Sequence, residues 1–159
     1  VTINNFESVI SNAEKRAVIT GENEIVPRLS DLHSAYASTA GKIELEYVGE
    51  DKKEDDLIER LVNRAVLKVF DRYMKVDDLK RIITYFEEGW GVEVSDRSPA
   101  SDYMDALREV PGLREAVNQL GAFETPGLMA AASEFIFEGL HLHQKLNKER
   151  QGGRFAYHA

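Results

Sequence analysis

Cysteine is absent from the 159 residues, which excludes disulfides, thiolate nucleophiles and cysteine-ligated zinc. No apolar run approaches the ~18 residues that a membrane-spanning helix requires, and no signal-peptide pattern opens the chain. These absences fit the cytosol. Basic residues are the minority: 20 Lys and Arg stand against 28 Asp and Glu, for a net charge of −8. A field of that sign repels phosphate backbones, so neither nucleic acid nor a membrane is an expected partner. The imbalance is uneven, with eight acids and four bases in residues 41–60 but four Lys/Arg and one Glu in residues 141–159. Both stretches read as solvated surface.

Catalytic signatures are missing as well. Gly41-Lys42 invites comparison with a phosphate loop, but Tyr36 stands five residues before Gly41 and Ile43 follows where Ser or Thr would hold magnesium. The flanking order is also reversed, a helix before the pair and the alternating segment KIELEYV after it. Gly-x-Ser-x-Gly, His-Glu-x-x-His and an aspartate-rich calcium loop do not occur. Glu134, Glu138 and His141 share one helix face, and Glu-x-x-His is half of a di-iron bundle motif, but the chain has no second copy. A carboxylate/histidine metal-binding bundle is therefore a remote alternative. His33, His141, His143 and His158 are expected to be ordinary hydrogen-bonded histidines. Asp55-Asp56 and Asp77-Asp78 read as acids complementing helix starts.

What is present is helical periodicity. A chain of this length can bury roughly 70% of its unfolded surface, enough for a core. Ile3, Phe6, Ile10, Ala13 and Ala17 recur at spacings of three and four, with Thr2 to start the helix and Gly21 to close it. Ser30 caps a second helix that runs to Ala40. A broad apolar stripe from Asp55 to Tyr73 makes a third, and Val76 to Phe86 a fourth, stopped by Gly89. GWGVEVSDRS then reads as a loop or short extended piece with Trp90 anchoring the core. Ser98-Pro99 and Pro111 begin two short helices that end near Glu109 and Gly121. Thr125-Pro126 opens a helix to about Asn147 that is apolar nearly all round, with Phe135, Ile136 and Leu140 on it, and is expected at the centre of the packing. QGGRFAYHA reads as a loose tail from about residue 151.

The blocks NNFESVISNAEKRAVITGENEIVPRLSDLHSAYASTAGKIELEYVGE, NRAVLKVFDRYM, EVPGL and EFIFEGLHLHQKLNKERQGGRF resemble the C-terminal part of magnesium-chelatase-like AAA+ ATPases related to the MoxR branch. The resemblance covers nearly the whole chain, and it rests on extended blocks rather than on a catalytic signature. It implies a mainly α fold with at most short extended pieces, in which residues 1–49 form an AAA+ lid-like helical segment and residues 50–159 a helical extension. Gly41 then stops a lid helix and Lys42 complements its C-terminus.

The family's phosphate loop, Walker B strand, sensor 1 and arginine finger are not in this sequence, so no catalytic residue is assigned. The chain opens on Val1 rather than Met, and the lid's sensor 2 arginine is expected to precede it in a longer protein. ATP and magnesium are implied for that parent, and none for this chain. Implied partners are its own AAA+ core, neighbouring subunits of a ring and an unidentified protein. Arg16 and Arg28 are the cations of the lid-like stretch that could reach a nucleotide or a subunit interface, the alternative being surface or helix-end charges. A free-standing helical interaction adaptor is the main rival reading.

Overall fold

The computed structural model describes residues 2–32, 34, 54–95, 97–121, 123–151 and 154–159. Periodic apolar spacing produces six α-helices among them: α1 (Thr2–Thr20), α2 (Glu54–Tyr73), α3 (Lys80–Glu87), α4 (Ala100–Glu109), α5 (Leu113–Leu120) and α6 (Pro126–Leu142). Two 3-10 turns, Leu29–Leu32 and Val76–Leu79, and three strands complete the order: β1 (Val92–Ser95), β2 (Asn147–Gln151) and β3 (Arg154–His158). The fold is mainly α, as expected. The helix expected to continue from Ser30 to Ala40, the extended KIELEYV, Gly41-Lys42 and His33 lie outside the described residues.

The termini of α1 and α6 follow from their sequences. Gly21 takes a left-handed φ of 71°, and the Glu22 N–H reaches the Ala17 carbonyl at 2.9 Å, a bond that only such a closing residue permits. Thr125 accepts the Leu128 N–H, and Pro126 occupies the first turn, where its missing donor costs nothing. α6 is central. It packs against α2, α4, α5 and the Leu29–Leu32 turn, and Ile136, Phe137 and Leu140 are fully buried. Phe135 is only partly buried, its ring tilted against Phe70 at 5.7 Å.

Three sequence expectations fail. Trp90 is 57% exposed and lies outside the core; two flanking glycines place it on a turn, where it stacks on Tyr85. The Thr125–Asn147 helix stops at Leu142, and Asn147 already belongs to a strand. The segment read as a loose tail is the middle strand of an antiparallel sheet ordered β1-β3-β2. In it Phe155 pairs with Val94 and Arg150, and Tyr157 with Val92 and Lys148. Alternation puts Phe155 and Tyr157 on the buried face, and that burial orders the segment.

Gly139 sets how closely α2 approaches α6, because a β-carbon there would overlap the Phe70 ring. Alanine would gain about 1 kcal/mol of helix propensity, whereas forcing a methyl into a filled site costs about 1–3 kcal/mol or more. We expect Gly139→Ala to lower the urea midpoint and Phe70→Leu to recover part of the loss in that background. Phe137→Ala should cost about 3–5 kcal/mol and Phe135→Ala clearly less; a larger effect at Phe135 would contradict this packing.

Candidate functional site

Two acids on an apolar helix define the site. Glu134 and Glu138, one turn apart on α6, are both buried, and a buried carboxylate must find donors. Glu134 accepts the Ser30 N–H at 2.8 Å and the Ser30 hydroxyl at 3.1 Å, and the Tyr103 hydroxyl donates to its Oε1. Glu138 accepts the Tyr157 hydroxyl at 2.5 Å and the Lys148 ammonium at 2.7 Å. Each acid therefore ties α6 to a different partner: Glu134 to the Leu29–Leu32 turn and α4, Glu138 to the sheet.

The first cluster extends into α1 through the two arginines. Arg16 is 3% exposed; its Nη1 donates to both Asp31 oxygens at 2.6 and 2.5 Å and its Nη2 to the Val26 carbonyl at 2.6 Å. Asp31 is fully buried and also accepts from the Asn12 amide and the Arg28 backbone N–H, which fixes the 3-10 turn. Arg28, equally buried, donates to the Ser98 carbonyl at 2.7 Å and to Glu22 at 3.0 Å, and its guanidinium lies 4.9 Å over the Tyr103 ring. Glu22 in turn accepts the Ala100 N–H at 2.7 Å and so holds the first residue of α4. Neither arginine sits at the surface as a free charge. Both are committed to internal partners in this structure.

The other sequence candidates disperse. His141 donates from Nδ1 to the Leu146 carbonyl at 3.0 Å, and His143 Nε2 meets Asp71 at 2.6 Å. His158 Nε2 is 3.3 Å from Glu149. Asp77 and Asp78 are exposed at the start of a 3-10 turn, Asp77 3.3 Å from Lys80. Among the described residues no three His, Asp or Glu side chains are placed to hold a metal ion. A cavity of about 590 Å³ lies beside the two glutamates, bordered by Ser30 and Leu32, by Val62 and Val66 of α2, and by Lys148 and Tyr157 of the sheet. Sequence reasoning overlooked Ser30, Asp31, Tyr103 and Tyr157 as partners; the available signal was two glutamates in an otherwise apolar helix.

Burial raises the Glu134 carboxyl above its ordinary value of 4.5, against the lowering effect of the Tyr103 and Ser30 bonds and of the Arg28 charge. The Tyr103 and Tyr157 hydroxyls are pushed well above 10, by burial first and by their glutamate neighbours second. They stay neutral donors. Each carboxylate of the cluster thus meets hydrogen-bond donors, an arrangement that fastens elements together, while the Nε atoms of Arg16 and Arg28 are buried without a hydrogen-bond partner. Comparison with described protein families, curated proteins and solved structures finds no match to the chain.

Glu134 gives a pH test with a definite sign. A carboxyl whose pKa is higher folded than unfolded holds its proton to higher pH in the native state, so its stabilising contribution is full below about 4.5 and lost as pH rises through the raised value. Glu134→Gln removes that titration. The unfolding free energy of the parent minus that of Glu134→Gln should therefore fall as pH climbs from about 4.5. Urea denaturation across this range measures it, and a difference that grows with pH would show that the carboxylate is stabilised instead.

Proposed function

We propose that this chain is the non-catalytic lid and C-terminal helical module of a magnesium-chelatase-like AAA+ ATPase, acting in nucleotide-coupled assembly and partner engagement. The block resemblance described above supports the family. The observation that carries the mechanical part is the bonding of Ser30 to Glu134. It joins the lid-like segment to the extension across 104 residues of sequence, beside Arg28 on Ser98 and Glu22 on Ala100. A lid that swings on nucleotide binding would carry the extension with it, since such directional bonds transmit displacement between rigid elements.

In this reading ATP and magnesium belong to the core, and the chain alone does not turn ATP over. Its partners are that core, the neighbouring subunits of a ring and a protein met by the extension in the cytoplasm; nucleic acid and membrane are not among them. Among the described residues no helix is long and apolar enough to cross a membrane. The α1 stripe offers the contact surface: Ala13 and Ala17 are buried, whereas Ile3 and Phe6, on the same face, are 72% and 68% exposed. The same exposure favours the second reading, a free-standing helical adaptor that meets another protein there.

ATP turnover by the chain, by a chelatase-like core lacking it, and by the two joined separates the readings. Phosphoryl transfer needs positioned phosphate donors and a metal clamp, so the chain alone should show none, the bare core should be impaired, and joining should restore the rate. Activity in the chain alone would overturn the first claim. A core at full rate without it would favour the adaptor.

A further inference from the structure

The single tryptophan of the chain stands in the open, and its setting is built rather than accidental. Trp90 stacks on Tyr85 with ring centroids 5.8 Å apart and planes inclined by only 15°. Tyr85 meets the fully buried Phe86 edge-on at 5.6 Å, and Phe86 meets Phe137 in the same way at 5.9 Å. An aromatic file thus runs from the core to the indole. The turn beneath is fixed too: Gly89 holds a left-handed φ of 93°, and a β-carbon at Gly91 would lie 3.2 Å from the Tyr157 carbonyl oxygen. The indole is thereby preorganised, while the contact area that makes tryptophan valuable is left unused on its outer side.

Acids stand just before it in the chain. Glu87 ends α3 and Glu88 follows as its cap, so two exposed acids add to the negative end of the helix. Glu109, exposed at the end of α4, lies near enough for its charge to add to burial in raising the Tyr85 hydroxyl. Arg108 pairs with Asp105 and Arg154 with Glu93. Among the described residues no Lys or Arg lies over the Trp90 ring.

We propose that the Tyr85–Trp90 stack is a docking site for an arginine side chain presented by a partner protein. A guanidinium is planar and weakly hydrated, so it can lie on the indole while its N–H fork reaches the carboxylates of Glu87, Glu88 or Glu109. An ammonium cannot stack in this way. Nucleic acid or an anionic membrane would meet the three acids first. The site stands on this surface alone and does not require the ATPase reading.

Because Trp90 is the sole tryptophan, its fluorescence reports directly on the site. The intact chain is titrated at low salt with the peptide Gly-Arg-Gly-Arg-Gly, and with counterparts carrying lysine or neutral citrulline. The arginine peptide should give a saturable change, with the lysine and citrulline peptides weaker by about tenfold or more, a factor within the reach of one cation–π contact plus charge pairing. Glu87→Gln, Glu88→Gln and Glu109→Gln together should weaken the arginine response at least about fivefold at unchanged circular dichroism. Calorimetry on Trp90→Ala should show no binding. No saturable response, equal responses to arginine and citrulline, or an unaltered affinity in the triple variant would each overturn the proposal.

Discussion

A carboxylate almost without water dictates the layout of this molecule. Glu134 lies in the middle of the most apolar helix, and stripping a charge of solvent costs several kcal/mol unless donors replace the water. Three bonds, two from Ser30 and one from Tyr103, and the nearby Arg28 guanidinium do so. The 3-10 turn has to present Ser30, α4 has to aim Tyr103, and Arg28 has to lie flat on that tyrosine. Once these are met, the direction in which α1 leaves the turn is set by Arg16 gripping Asp31. Buried ion pairs of this kind add little net stability over apolar packing, but losing one member leaves the other charge stranded.

The helices were legible because their information is local. Spacings of three and four, Gly21 past the end of α1 and Thr125-Pro126 before α6 act within a turn or two of chain, and the structure places those elements where the periodicity does. Burial was less legible, since it depends on what lies across. Ile3 and Ala17 fit one stripe, yet only the second is buried. Arg16 and Arg28 look like solvated charges until Asp31 and Glu22 fold beneath them. The strand pair β2 and β3 did carry a signal: Gly152-Gly153 between KERQ and the alternating RFAYH is the spacing of a two-residue hairpin. The glycines instead suggested disorder, because five residues of alternation weigh little without the pairing partner Val92–Ser95 in view.

The two glutamate clusters divide the labour between them. Glu134 binds the Leu29–Leu32 turn and α4 to α6, Glu138 binds the sheet to it, and a single turn of helix separates them. In the proposed ATPase setting, a displacement entering at α1 therefore meets no slack before α6. The sheet meets the same face of that helix, one turn further along. It caps the core with Phe155 and Tyr157 and carries Lys148 over both rings, at 4.5 and 5.7 Å. An inward-facing lysine on the edge strand β2 also discourages pairing with another chain.

The strand order has a kinetic consequence. β2 and β3 are neighbours in sequence, but β1 pairs with β3 from residue 92 to residue 157, and three helices intervene. Loop closure over such a span is entropically costly and slows folding when it must precede other contacts. β1 can find its place cheaply only after α4, α5 and α6 have condensed and drawn the two ends together. The β1–β3 pairing is thus expected to follow the packing of those helices, an interval in which the edge of β1 is open to other chains.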